Sequence, residues 1–300
     1  LVYTGKKYIF VCNKKITIMK YYIVDAFAQQ PFGGNPAGVV LLDGDFPSSK
    51  FMQQVAAEFR YSETAFMKRH SDNEFTVRYF TPCGEVDLCG HATIATFGMM
   101  GAEGMVAAGT LCLNHTLAGD LSVKVGETVM MEMATPRVLP AKVDVERLQR
   151  IMGAKRVCDN LPVMVVSTGL PDIMMPLASL DQLNALTPDM DALAQLSKEL
   201  GVTGVHAFAL SDDGYTAHVR NFGPLYGIPE ESATGTANAA LTHYLHHNGI
   251  IVSPSQCQFL QGEAMQRPSV VATSLMPDGT VWVGGKVQII ASGVLRVDKD

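Results

Sequence analysis

Val77-Arg78-Tyr79-Phe80-Thr81-Pro82 returns as Val219-Arg220-Asn221-Phe222-Gly223-Pro224, 142 residues further along the chain. The same offset places Ala65-Phe66 on Ala207-Phe208. Just downstream, Cys89-Gly90-His91-Ala92 through Ala95 matches Thr234-Gly235-Thr236-Ala237 through Ala240, now 145 residues apart, so one three-residue insertion reconciles the two registers. Self-similarity at so long a period marks a repeated supersecondary unit, here in two large copies. The copies differ at an acid: Glu63 has Val205 as its counterpart. Two pseudo-equivalent halves with a carboxylate on one side predict a shared cleft whose chemistry is one-sided.

The bulk numbers agree with a folded enzyme-sized chain. Three hundred residues hold two domains of ordinary size. A hydrophobic content of 47% with 17% charged residues is that of a core-forming protein. A net charge of −6 and the lack of a Lys/Arg stripe argue against nucleic-acid binding. No apolar run reaches the roughly 18–20 residues of a membrane span, so no membrane partner is expected. Six cysteines without a C-x-x-C pair suit a reducing cytoplasm better than a disulfide scaffold.

Residues 1–18 stand apart. They carry Lys6, Lys7, Lys14 and Lys15 with no acid, and the apolar stretch Tyr8–Cys12 is too short for a signal peptide. Met19 directly precedes the first convincing strand, so residues 1–18 read as a non-native or upstream extension outside the fold.

From there, short β-rich runs alternate with helical ones. Strands are expected over Tyr21–Phe27 and Val39–Leu42, flanking the turn-rich Gln30-Pro31-Phe32-Gly33-Gly34-Asn35-Pro36. Helices are expected over Phe51–Phe59, capped by Ser48-Ser49, then from Gly90 to about Met100, and over Asp144–Met152, Met190–Leu200 and Gly235–His247. The Gly90 helix is apolar all round, which predicts burial on every side. Near Thr135-Pro136 the β alternation gives way to proline and charge. The boundary is placed there, with an N-terminal lobe over 19–135 and a C-terminal lobe over 136–300 whose last strand returns to the first lobe. Short strands around one apolar helix per half give an α+β fold of two pseudo-symmetric lobes, each a curved mixed sheet around a central helix. A doubly wound parallel sheet needs more regular βαβ alternation.

Several residues have both a chemical and a structural reading. Gly90 and Gly235 each open a helix, whose free N–H groups bind carboxylates or other anions; alternatively each glycine serves close helix–strand packing. Glu63 is either an exposed strand acid or a carboxyl held in an apolar cleft by the Ala65-Phe66 that follows. His91 is a capping or core histidine, or a group that faces ligand. Asn35 is a turn residue or lines the cleft. Cys89 has Thr234 as its repeat partner, and a hydroxyl is a far poorer proton-transfer base than a thiolate; Cys89 reads as a packed small residue. His243 and His247 have helical i, i+4 spacing, but no acid falls between them and no third ligand is evident, so no metal is expected there.

Asp25-Ala26-Phe27, Pro31-Phe32-Gly33-Gly34-Asn35-Pro36-Ala37, Ser62-Glu63-Thr64-Ala65-Phe66, Cys89-Gly90-His91-Ala92-Thr93 and Ala233-Thr234-Gly235-Thr236-Ala237 together resemble the PhzF family. These are phenazine-biosynthesis-like isomerases with the diaminopimelate epimerase fold. Gln261-Gly262 and Arg267-Pro268-Ser269 resemble that family's C-terminal pattern, and the match runs in order from Met19 to Val297. The resemblance implies an active site between the lobes, a homodimer, and no metal or organic cofactor. It implies that Glu63 is the general acid/base, that His91 assists, and that Glu231 has a catalytic role. On this reading the backbone N–H groups of Gly90, Gly235 and Thr236 hold a substrate carboxylate, and Asn35 holds substrate polar atoms. The chain departs from the family at Glu230-Glu231-Ser232-Ala233-Thr234-Gly235, where Glu231 stands for the usual Asp and Ser232 for Pro. Glu231 is otherwise a solvated loop acid.

The expected function is a cofactor-independent isomerase moving a proton on a small carboxylate-bearing metabolite. The alternatives are a Cys89-dependent amino-acid epimerase or racemase, and a catalytically silent ligand-binding protein.

Overall fold

The computed structural model describes residues 16–298. The first half runs β1 (Ile16–Ala26), β2 (Asn35–Leu42), α1 (Ser49–Phe59), β3 (Thr64–Arg69), β4 (Glu74–Phe80), β5 (Glu85–Val86), α2 (Gly90–Ala102), β6 (Leu111–Thr116), β7 (Gly119–Lys124), β8 (Val129–Glu132) and β9 (Arg137–Leu139). The second half runs α3 (Val145–Met152), β10 (Met164–Ser167), β11 (Pro171–Leu177), α4 (Leu180–Asn184), α5 (Met190–Leu200), β12 (Gly204–Leu210), β13 (Ala217–Gly223), β14 (Ile228–Glu231), α6 (Gly235–His247), β15 (Ser255–Gln261), β16 (Ser269–Leu275), β17 (Val281–Gly285) and β18 (Val287–Asp298). The structure is α+β, a mixed sheet with few helices. Among the described residues no helix is long and apolar enough to cross a membrane.

Strand pairing follows the internal repeat. In the first half the neighbours run β18, β1, β2, β3, β4, β6, β7, β8, with β5 a spur on β4. In the second they run β9, β10, β11, β12, β13, β15, β16, β17, with β14 a spur on β13. The parallel pairs fall at matching places, β2–β3 and β4–β6 against β11–β12 and β13–β15. One antiparallel seam, β8–β17, joins the two sets. The outermost strand of each set comes from the other copy: β9 follows the first copy but pairs with β10, and β18 follows the second but pairs with β1. β18 returns to the first set as expected of the last strand, β9 lies on the second-set side of a cut between 135 and 136, and the β8–β17 pairing keeps the sheet continuous across it.

Two sequence expectations shift. β1 starts at Ile16 rather than Tyr21, and so reaches into the expected extension, because Ile16-Thr17-Ile18 continues the ladder opposite Arg296–Asp298. The remainder of the expected extension, residues 1–15, lies outside the described residues. The short strands β5, β9 and β14, the helix α4, and β15 were not expected from the pattern. Ser255-Gln256-Cys257-Gln258-Phe259-Leu260-Gln261 has too few apolar residues to declare itself as a strand; only its pairing with β13 and β16 fixes it.

The three-residue shift between the repeats falls at Pro224–Tyr226, a single 3-10 turn after β13. On either side of it the equivalences hold at the level of single side chains. Arg78 grips Glu85 with Nε and Nη2, both at 2.6 Å. Arg220 grips Glu230 in the same way at 2.8 and 2.7 Å.

Each half encloses one 13-residue helix. Every residue of α2 from His91 to Met100 is buried, and in the first-half core Phe97 meets Phe75 edge-on at 5.5 Å. α6 is buried along most of its length, with Leu241, Tyr244 and Leu245 packed on Phe208, Val219 and Phe259. The fit at α2 is tight. A Cβ on Gly98 would stand 2.5 Å from a Val287 methyl of β18. Gly98→Ala is expected to cost about 1–3 kcal/mol, the usual penalty for overpacking, read as a lower denaturation midpoint at unchanged m-value.

Candidate active site

The two enclosed helices begin at the same place in their repeats, and neither first turn is closed by its cap side chain. The first N–H groups of a helix lack intrahelical acceptors and carry its positive end, so each start is suited to an anion. Packing is not what requires glycine at these starts. A Cβ on Gly90 would approach nothing closer than 3.7 Å, and one on Gly235 nothing closer than 3.5 Å, both ordinary contact.

Glu63 sits in the turn entering β3, its carbonyl accepting from Gly38 N–H of β2 at 3.2 Å. Its side chain is 16% exposed and its Oε2 lies 3.2 Å from His91 Nε2. That oxygen is buried yet has no partner in hydrogen-bonding geometry. Unsatisfied buried carboxylate oxygens are uncommon in native proteins and point to a ligand or proton-transfer role. Glu63 is thus not a solvated strand acid. His91, buried at the second position of α2, has Ser62 Oγ at 3.3 Å from Nε2 and Cys89 Sγ at 3.4 Å from Nδ1.

Glu231 enters from the other half. Its Oε1 accepts from Asn35 Nδ2 at 2.9 Å and lies 3.9 Å from His91 Nδ1, while its Oε2 accepts from Thr234 Oγ1 at 2.6 Å. It is no solvated loop acid. Burial pushes its carboxyl up, Glu63 adds to that, and His91, Thr234 and Asn35 act against it. In repeat register Glu231 corresponds to Val86, as Glu63 corresponds to Val205. Each half therefore carries one carboxylate where the other has valine, at two non-equivalent positions. Ser232 uses what proline lacks: its hydroxyl donates to Gly34 O at 3.0 Å, tying the two halves together beside Asn35.

Burial, with the Glu63 carboxylate next in size, holds the Cys89 thiol well above its ordinary range. Its repeat partner Thr234 is committed to Glu231, so no second group faces it as an opposed thiol would. Thr236 places its carbonyl on Thr168 Oγ1 at 2.9 Å, which fixes the first turn of α6. His243 and His247 lie 6.2 Å apart between ring centroids at the far end of that helix, away from these groups.

Behind Glu231 lies a polar network that single motifs did not reveal. Asn221 Nδ2 donates to His206 Nδ1 at 3.2 Å, and His206 Nε2 donates to Asn238 Oδ1 at 3.3 Å. Asn238 Nδ2 donates to Gln261 Oε1 at 2.8 Å. Gln261 Nε2 then donates to Thr234 Oγ1 at 3.1 Å and to the Glu231 carbonyl at 2.8 Å. Every donor in this series points toward Glu231. Burial pushes the His206 imidazole down to about 3, so it is neutral, and donation from Asn221 to Nδ1 leaves the proton on Nε2. The signal was in the repeat itself: His206, Asn221 and Asn238 are the counterparts of Thr64, Tyr79 and Thr93. Asp172 was also missed. It is 1% exposed, its Oδ1 has no partner, and burial followed by repulsion from Glu231 raises its carboxyl to about 7.

Comparison with known proteins places this chain in a family. The sequence profile of the family described as phenazine biosynthesis-like protein (PhzC-PhzF) matches residues 24–293. The uncharacterized isomerase YddE of Escherichia coli O157:H7 is 33% identical over 267 residues, covering 85% of this chain and 89% of its own. The trans-2,3-dihydro-3-hydroxyanthranilate isomerase of Pseudomonas chlororaphis is 31% identical over 262 residues, covering 84% of this chain and 88% of its own. The crystal structure of the Bacillus anthracis PhzF-family phenazine biosynthesis protein superposes with a TM-score of 0.85 at 24% identity, covering 94% of this chain and all of that one. The chain thus belongs to the phenazine biosynthesis-like, PhzF family, and it is an isomerase of that type.

Proposed function

We propose that the isomerase moves one proton within a small, carboxylate-bearing metabolite without a cofactor, and that Glu63 carries it. The supporting observation is the Glu63 Oε2 atom: buried, without a hydrogen bond, and 3.2 Å from His91 Nε2 at the open start of α2. The ligand carboxylate sits on the N–H groups of Gly90, Gly235 and Thr236, with Asn35 fixing the wall that carries Glu231. As carboxylate, Glu63 takes a proton from a carbon next to an electron-withdrawing group, and the electron pair shifts along the conjugated system. The Glu63 acid then returns the proton to the far end of that system, so no atom is gained or lost. His91 hydrogen-bonds the ligand oxygen on which charge develops, and Glu231 steadies His91 from the other ring nitrogen. Proton transfer by one placed side chain contributes typically about 10²–10⁴-fold.

A cyclic amino acid of the kind turned over by the Pseudomonas relative is the first compound to try. Glu231, one methylene longer than the family's usual Asp, displaces whatever that carboxylate touches by about 1 Å, enough to cost on the order of a hundredfold on a mismatched substrate. The family resemblance also supports a homodimer, which light scattering would read as twice the chain mass. Incubating the enzyme in D₂O with a panel of unsaturated and α-amino carboxylates, followed by NMR, tests the activity. A double bond that shifts, with either solvent deuterium or the original proton at the new carbon, is the expected result. No isomerisation or exchange across a panel that includes the relative's substrate overturns the proposal.

A further inference from the structure

The groups that would move the proton are also the donor set of a thiophilic metal. Among the described residues, one cluster of three ligand-bearing side chains has all its donor atoms within 4.8 Å of one another: Glu63, Cys89 and His91. His91 Nε2 lies 3.2 Å from Glu63 Oε2 and 4.0 Å from Cys89 Sγ. Around tetrahedral zinc, with bonds of roughly 2.0–2.3 Å, neighbouring donors stand about 3.3–3.7 Å apart. The three atoms are therefore within a small side-chain adjustment of a half-built zinc shell.

Charge favours the same occupant. Glu63 and Glu231 both face this space, and among the described residues His91 is the only basic group within ion-pairing distance of either. Arg267 is taken up by Asp25 at 2.8 Å and by the carbonyls of Gly33 and Gly34. Apart from the His91 contact, the Glu63 Oε2 atom accepts no hydrogen bond, and a bound cation would satisfy it. Sulfur and imidazole together select zinc-like ions over magnesium, which takes oxygen ligands and keeps its waters.

We infer that Glu63, Cys89 and His91 form an inhibitory site for Zn²⁺ or a similar thiophilic divalent cation, with water completing the fourth position. On binding, a metal–sulfur bond replaces the Cys89 S–H bond and that proton leaves to solvent, because a thiol coordinated to zinc is deprotonated outright. The ion holds the carboxylate and the imidazole that catalysis needs, so the metal-bound enzyme is switched off. This loss of turnover rests on the proposed role of Glu63, whereas the binding itself does not.

Cobalt(II) titration of the full chain, without substrate, reads the site directly. One equivalent is expected to give the strong visible bands of tetrahedral cobalt and a near-ultraviolet thiolate-to-cobalt charge-transfer band, bleached by Zn²⁺ but not by excess Mg²⁺. Cys89→Ser should remove the charge-transfer band and weaken zinc binding by about tenfold or more, since even loss of a supporting group around a metal costs about 10–100-fold. Glu63→Gln should keep the band and weaken zinc by a similar factor. Cobalt on His243 and His247 would show nitrogen ligation alone. A wild-type spectrum without thiolate character, a band that survives Cys89→Ser, or equal competition by Mg²⁺ overturns the inference. A protein with the cobalt signature but no isomerase activity would sink the functional proposal and leave the metal site standing; an active enzyme without the signature would do the reverse.

Discussion

Glu63→Gln is expected to lower turnover by about 10²–10⁴-fold while leaving the fold and ligand affinity close to those of the parent. The substitution keeps shape and removes only the capacity to accept and return a proton. The structure says why little else should change: Glu63 Oε2 makes no hydrogen bond that the amide would lose. The backbone contact from Gly38 is untouched by the side chain. The measurement is kcat alongside the melting temperature and the affinity for an unreactive carboxylate analogue. Activity near the parent's would end Glu63's candidacy, and a variant that melts early would show the carboxylate to be structural instead.

The second large effect is on stability and comes from Asp172→Asn. Asp172 is fully buried on β11, receives one backbone N–H, from Gly204, and is repelled by Glu231; its carboxyl titrates at about 7 rather than 3.8. A carboxyl raised in the folded state stabilises below the unfolded value, and that contribution is lost as pH rises from about 4 to 7. Above pH 7 the native protein carries a buried charge that the unfolded chain would hydrate freely. The isosteric amide removes that cost, so Asp172→Asn should be more stable at pH 8 by about 2–4 kcal/mol and nearly unchanged at pH 4. Denaturant unfolding of both proteins at the two pH values checks this. An equal difference at both pH values would mean that the Asp172 carboxyl does not titrate in this window.

These two residues also mark how far the sequence could be read. Glu63 was legible because a repeat makes its own control: the second copy shows what the position looks like without chemistry, namely Val205. The enclosed helices were legible for a similar reason, since α2 is apolar on every face and its counterpart α6 begins with the same glycine. Asp172 was not legible. An acid between Pro171 and Ile173 looks like a turn residue, and only the closure of β10 and β12 around it removes it from water. His206, Asn221, Asn238 and Gln261 are spread over 55 positions and meet only because β12, β13, α6 and β15 converge behind Glu231. Glu231 was legible as a departure from the family pattern. That it comes within 3.9 Å of His91 depends on Asn35 and Ser232 joining the two halves, which local pattern does not show.

The exchange of β9 and β18 makes each repeat unfinished by itself. Severed from its twin, either one would expose a row of unsatisfied amides and carbonyls where the borrowed strand had lain, the kind of open border that draws chains into aggregates. Each set of strands is completed by a strand from the other, so neither border is left open.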